Sequence, residues 1–513
     1  MAENNPGFSE SVLIGAQKAQ LMTSRQARVL RWILPALMVL IVITLYLITA
    51  SREAGIGYPL DDAWIHQTYA RNLGLLGQWS FIPGQPSAGS TAPLWSLLLA
   101  AGYVLRLPHF AWTFLLGGLS LFALALAGEG LFRTLDPQAR GLIPVAAVLL
   151  ASEWHLAWAA LSGMETLLFA ALILLVIWRS VQPAAPRAWF VTGLLIGLSV
   201  WVRPDGVTLL GPAAFCLVLS DMPRRQRIQG LLALIAGALL MFLPYLLFNL
   251  LVQGSLWPNT FYAKQAEYAE LRQLSIFTRF FTEVSLPLIG GGLFLLPGFL
   301  VLAWQAVRAR RWTVVAAVLW FLGYALLYAL RLPVTYQYGR YFMPAMPVYF
   351  LLGLAGTYWL AAAVQANRIG FILSRVWLLS GVAVWLAFLV IGAGRFAKDA
   401  GIIETEMVAA AKWVAANTDS HARIAAHDIG ALGYFGSRQI LDLAGLVSPE
   451  VIPFIRDEQA LADWLDTRQA DYLVIFSGWY QTLPGGKTPV YQTTGEYSIP
   501  AGGENTQVYR WKP

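Results

Sequence analysis

Over most of this chain apolar residues do not alternate with polar ones; they run together. Residues 231–252, LLALIAGALLMFLPYLLFNLLV, carry no charge at all. A run of about 20 apolar residues crosses a bilayer as a helix, and in hydrocarbon each backbone amide must find its partner within that segment. About eleven such spans are predicted. The first runs from about Arg28 to Ala50 and the second from Phe110 to Phe132. The others lie near 141–153, 164–178, 188–201, 206–220, 229–252, 285–305, 312–330, 342–363 and 374–393. PLWSLLLAAGYVLRL reads as a short interfacial helix rather than a span.

The pattern changes after about Gly394. Short alternating runs (ARIAAH, DYLVIF, TQVYRW) are separated by helix-like stretches (IIETEMVAAAKWVAANT, DEQALADWLDTRQA). That is the pattern of a small α/β domain. The expected division is a polar tail over 1–27, a membrane module over 28–394 and an α/β domain over 395–513. The fold class is therefore mainly α: a polytopic membrane protein with a small C-terminal α/β domain.

Composition supports this. The 513 residues are 58% hydrophobic and 12% charged, against about 25% charged in soluble domains. The net charge of +7 fits the positive-inside rule better than nucleic acid, because the cations sit in short loops. Arg133 and Arg140, Arg179 and Arg187, Arg224, Arg225 and Arg227, Arg308, Arg310 and Arg311, and Arg368 and Arg375 mark one side. That side is read as cytoplasmic, with the N-terminus inside and the C-terminal domain outside a cytoplasmic membrane. Two long loops, about 51–92 and 253–283, then face out. The single Cys216 reads as a core thiol.

The unusual polar residues gather on the outer side. Asp61 and Asp62 open GYPLDDAWIHQTYARNL. A helix start with an acidic first turn explains them; so does a general base held at the membrane edge. Asp62, His66 and Tyr69 share a face at three- and four-residue spacing. LSGMET carries Glu165, and WVRPDG carries Arg203 and Asp205, which read equally as a structural ion pair. SLWPNTFYAKQ carries Tyr262 and Lys264, and YQYGRYFMPAMP carries Tyr338 and Arg340. Cations at helix ends often only snorkel to the interface. Taken together, cations opposite carboxylates suit a lipid phosphate and a hydroxyl to be activated. In the tail, AHDIGALGYF holds His427 and Asp428; two adjacent ligands without a third do not make a metal site. GxGxxG, P-loop, HExxH and GxSxG patterns are absent, which argues against nucleotide-sugar or ATP chemistry.

The ordered series DDAWIHQTYARNL, GSTAPLW, LSGMET, VRPDG, WPNTFYAK, RYFMP, DIGALGYF and ILDLAGL resembles the GT-C superfamily of integral membrane glycosyltransferases. Within it the chain is most similar to mycobacterial terminal arabinofuranosyltransferases. The likeness runs from about Tyr58 to Pro449, and it rests on the order of loose motifs. It implies a GT-C fold, a polyprenyl-phosphate sugar donor, no nucleotide, and inversion at the anomeric carbon. It implies Asp61 as the base, supported by Asp62. Lys264, Arg340 and Arg203, with Tyr262 and His66, are expected at the donor and its phosphate. Glu165, Asp205, Tyr338, His427 and Asp428 are expected at the acceptor or sugar. Some members use a divalent cation and others do not; no ligand cluster in this sequence demands one. The acceptor would be an envelope glycan, a lipid or a protein. The rival readings are a transporter or flippase of lipid-linked saccharide, which should show internal symmetry, a non-catalytic envelope protein on the same scaffold, and, within the enzymes, a protein O-mannosyltransferase or a lipid A sugar transferase.

Overall fold

The computed structural model describes residues 6–135, 143–182, 185–364 and 367–512. In chain order its helices are α1 (Pro6–Glu53), α2 (Asp62–Leu76), α3 (Pro93–Val104), α4 (His109–Leu135), α5 (Val145–Ala151), α6 (Trp154–Ala160), α7 (Thr166–Val181), α8 (Pro186–Val202), α9 (Leu210–Val218) and α10 (Arg224–Gln253). There follow α11 (Asn259–Glu267), α12 (Ile276–Ser285), α13 (Leu296–Arg308), α14 (Trp312–Arg331), the short turn α15 (Tyr336–Gly339), α16 (Met346–Ala363), α17 (Arg368–Ile403), α18 (Ala409–Asn417) and α19 (Glu458–Thr467). The chain is a multi-pass membrane protein, mostly helical, with a small C-terminal sheet.

Among the described residues seven helical segments are long and apolar enough to cross a membrane: Val29–Glu53, His109–Leu135, Arg224–Gln253, Gly290–Arg308, Trp312–Arg331, Tyr336–Ala363 and Arg368–Asn417. Four further apolar segments are shorter: Pro93–Val104, Thr166–Val181, Pro186–Val202 and Pro204–Val218. The eleven spans expected from the sequence therefore do not all reach full length. The expected span at 141–153 is a correction. Part of it, with Arg140, lies outside the described residues. The rest is broken into α5 and α6 because the Glu153 carboxylate accepts the Leu156 N–H at 3.0 Å and starts a new helix. The last apolar helix does not stop near Gly394; helical backbone continues to Asn417.

The outward faces of the long helices are leucine-rich. Leu232, Leu240, Leu243, Leu247 and Leu251 of α10 are exposed, as are Leu373, Val376 and Leu379 of α17. Lipid tails cover such surfaces. Helices meet where small residues let backbones approach. A Cβ on Gly193 of α8 would sit 2.1 Å from the Leu234 carbonyl oxygen of α10.

The C-terminal sheet has strands β3 (Arg423–Ala426), β4 (Gln439–Asp442), β5 (Tyr472–Phe476), β6 (Tyr491–Gln492) and β7 (Thr506–Arg510), after a small hairpin of β1 (Ser80–Ile82) and β2 (Gln85–Pro86) in the first long loop. Its order is β4-β3-β5-β7-β6, with β3 parallel to β4 and β5, and β7 antiparallel to β5 and β6. Leu461 and Leu465 of α19 bury against Leu473 and Ile475 of β5.

Candidate functional site

The site begins at α2. Asp61 precedes the helix, and its carboxylate turns away to accept the N–H groups of Gly430 at 2.6 Å and Ala431 at 2.8 Å. Those amides open a helical turn in the C-terminal domain, so Asp61 caps it. Gly430 has to be glycine, since a Cβ there would lie 2.0 Å from the Asp61 carbonyl oxygen. Burial and the nearby Asp428 carboxylate push the Asp61 pKa upward, and the Ala431 and Gly430 amides oppose them. Asp62, one residue on, faces a cavity of about 380 Å³. Its Oδ2 accepts Arg340 Nη1 at 2.8 Å. Burial alone would raise its pKa, but the Arg340 guanidinium and Lys264 ammonium hold it below the usual carboxylate range.

Four cations and three carboxylates line that cavity: Arg203, Lys264, Arg331 and Arg340, with Asp62, Glu165 and Asp205. Arg340 follows three residues in left-handed backbone, Gln337, Tyr338 and Gly339 (φ 52°, 60° and 71°). Such strain persists only where the surroundings enforce it, and here it presents Arg340 to Asp62. Lys264 comes from α11, which lies across the first long loop. Asn259 donates to the Leu446 carbonyl at 3.2 Å, and Thr260 to that of Gly89 at 3.0 Å. The Lys264 ammonium is 3.5 Å from Glu267. Arg203 lies 3.8 Å from Glu165 and 3.5 Å from Asp205, and donates to Tyr328 at 3.1 Å. Glu165 in turn is 3.6 Å from His66 Nε2, whose Nδ1 faces the Ser96 and Ser90 hydroxyls.

Beside this cavity is an apolar groove of about 450 Å³ between α9 and α14. Thr208 and Leu327 line both spaces. Arg331, one turn beyond Leu327 on α14, lines the cationic cavity with its guanidinium over the Phe261 ring at 5.5 Å.

Not every expected residue reaches the cavity. Asp62, Glu165, Arg203, Asp205, Lys264 and Arg340 line it. His66 sits behind Glu165. Tyr69 instead holds the first loop, paired with Ser87 at 2.6 Å and accepting the Gly89 N–H at 2.9 Å. Tyr262 is exposed while its neighbours Phe261 and Lys264 turn inward. Tyr338 donates to Asp399 at 2.9 Å and packs between Trp154 and Trp158, because its left-handed backbone swings the ring away. His427 and Asp428 line a separate hollow of about 20 Å³. Asp61 lies outside the lining as well. Sequence reading missed Arg331, whose only signal was its place at the end of a span, and Glu267, legible as an i,i+3 partner of Lys264. Among the described residues no three His, Cys, Asp or Glu side chains converge as a metal site.

Comparison with known proteins gives the fold its name. Residues 400–509 match the model of a domain of unknown function, DUF8728. No curated protein matches in sequence. Among solved structures, ArnT from Cupriavidus metallidurans bound to undecaprenyl phosphate is similar over 93% of this chain and 97% of its own, at 15% identity and a TM-score of 0.58. The archaeal oligosaccharyltransferase AglB from Archaeoglobus fulgidus, in complex with an inhibitory peptide and a dolichol-phosphate, is similar over 85% of this chain and 69% of its own, at 13% identity and a TM-score of 0.55. The apo form of the Archaeoglobus fulgidus oligosaccharyltransferase gives 12% identity and a TM-score of 0.58. Both neighbours are GT-C glycosyltransferases, and the fold of this chain is of the GT-C type.

Proposed function

We propose that this protein transfers a sugar from a polyprenyl-phosphate donor to an acceptor hydroxyl, with Asp62 as general base. The observation that carries the proposal is the adjacency of two spaces. A cationic cavity containing Asp62 shares Thr208 and Leu327 with a neighbouring apolar groove. A lipid phosphate has that same division, and the GT-C neighbours with bound polyprenyl phosphates support the donor class.

The donor's prenyl chain occupies the groove and its phosphate meets the cavity cations. The acceptor hydroxyl attacks the anomeric carbon from the face opposite the phosphate, and its proton passes to Asp62. The bond from the anomeric carbon to the phosphate oxygen breaks as the new glycosidic bond forms, so the configuration inverts. Polyprenyl phosphate leaves with its charge held by Arg340, Lys264, Arg331 or Arg203. An Asp paired to Arg is a weak base. Donor phosphate competes for Arg340, and Asp62 gains basicity when the substrate is in place. Asp61 is the docking residue for the C-terminal domain rather than the base. Glu165 and Asp205 are the carboxylates available to sugar hydroxyls.

The cavity lies on the outer face of the cytoplasmic membrane in this reading, with the N-terminus inside and the domain after about residue 395 outside. The acceptor is an envelope glycan, lipid or protein. The test is transfer by purified protein in lipid, from a panel of radiolabelled polyprenyl-phosphate sugars that includes arabinofuranose, onto an envelope extract. Transfer from one member names the sugar; the absence of both transfer and binding with every member refutes the donor class.

A further inference from the structure

We infer that the turn His427–Ala431 of the C-terminal domain is a positioning device that sets the geometry of Lys264 against Asp62 across the cavity. The inference rests on the transferase reading for its consequence, but its structural basis is separate.

The turn touches both sides of the site without entering it. On one side Gly430 and Ala431 hold the Asp61 carboxylate, and the next residue is Asp62. On the other, His427 Nε2 is 3.3 Å from Glu267 Oε1, while Glu267 Oε2 is 3.5 Å from the Lys264 ammonium. Among the described residues no hydrogen bond or ion pair joins Asp62 to Lys264 directly, so their separation depends on what holds α2 and α11. At its N-terminal end α11 is tied through Asn259 and Thr260. Near its C-terminal end a half-buried tie runs from Glu267 to His427.

The tie is built to hold one geometry. His427 Nδ1 pairs with the Tyr480 hydroxyl at 2.8 Å, and its ring stands edge-on to Trp479 with centroids 4.8 Å apart. The side chains of His427, Glu267 and Lys264 are 13%, 15% and 14% exposed, so water competes little for these contacts. Burial lowers the His427 pKa, but Glu267 and then Asp428 outweigh it and raise the value, while Lys264 opposes them. Glu267 is pushed upward by burial and brought down to about 2 by Lys264 and His427. A charged or charge-assisted contact of this kind is stronger and more directional than a neutral one. Neither His427 nor Glu267 lines the cavity, so each acts through Lys264.

The experiment uses the full chain in lipid nanodiscs with undecaprenyl phosphate as the probe, and measures its affinity together with amide exchange over residues 259–267. His427→Ala is expected to weaken binding about tenfold and to speed exchange in α11, leaving exchange in β5 and β7 unchanged. In a Lys264→Met background His427→Ala adds no further loss, because both act at one cation. His427→Gln, which still donates to Glu267, restores affinity to within about threefold. Unchanged α11 exchange and affinity in His427→Ala, or losses that multiply with Lys264→Met, overturn the inference. If the wild type fails to bind the probe, the lipid-phosphate reading falls, and α11 exchange still decides the tie: faster exchange in His427→Ala supports it and unchanged exchange overturns it.

Discussion

Asp61 and Asp62 are adjacent in sequence, yet their carboxylates point into different parts of the molecule. Asp61 Oδ2 and Oδ1 hold Gly430 and Ala431 at 2.6 and 2.8 Å, whereas Asp62 Oδ2 holds Arg340 at 2.8 Å beside the cavity. One carboxylate joins the C-terminal domain to the start of α2, and the other lines the cationic cavity. Successive residues of a helix differ by about 100° in direction, so a pair at a helix start can serve two elements.

The docking half of that relationship predicts a stability effect. Gly430→Ala puts a methyl 2.0 Å from the Asp61 carbonyl oxygen, a backbone atom that cannot rotate aside. The expected cost is about 1–3 kcal/mol, seen as a lower unfolding temperature and faster proteolysis of the C-terminal domain. Wild-type behaviour would mean that the domain does not dock through this turn.

The Arg340 pairing predicts a pH effect. Asp62 must be ionised to accept a proton, so transfer is lost as pH falls through its pKa. Arg340 and Lys264 hold that pKa below the usual range against burial, so the wild-type acidic limb lies below about pH 4. Removing the guanidinium in Arg340→Gln lets burial raise the group, and the limb moves up by about one unit or more. The check is kcat/KM against pH for both proteins. An acidic limb at the same pH in both separates Asp62 from the chemistry.

The apolar groove predicts chain-length discrimination. A Cβ on Gly323 of α14 meets nothing within 4 Å, and the residue lines the groove. Gly323→Leu therefore fills the groove without disturbing the helix. Donors with a long prenyl chain are expected to lose about tenfold in KM, equivalent to about 1.4 kcal/mol, while donors truncated to two isoprene units are unaffected. Equal effects on both would place the chain elsewhere.

Much of the fold is legible in the sequence because it follows from local pattern. Uninterrupted apolar runs become α1, α4, α10, α14 and α17, and ARIAAH, DYLVIF and TQVYRW become β3, β5 and β7. The break at Ser152–Glu153 is not legible, because the apolar run hides one capping carboxylate. Six of the expected site residues line the cavity because loop motifs far apart in the sequence converge there. The choice between Asp61 and Asp62 is hidden, since the partner that claims Asp61 lies 369 residues away. Tyr338 is lost to the left-handed turn before Arg340, a backbone feature that YQYGRYF does not announce. His427 proves relevant to Lys264 only once Glu267 is seen between them.

The most direct measurement is single-turnover sugar transfer by Asp62→Asn and Asp61→Asn, each with polyprenyl-phosphate binding measured in parallel. The account predicts that Asp62→Asn loses about 10² or more in rate while still binding the lipid phosphate. Asp61→Asn, a folded but less stable protein, stays within about tenfold of wild type, as expected of a group that acts through docking. A rate that collapses in Asp61→Asn and survives in Asp62→Asn would contradict the account.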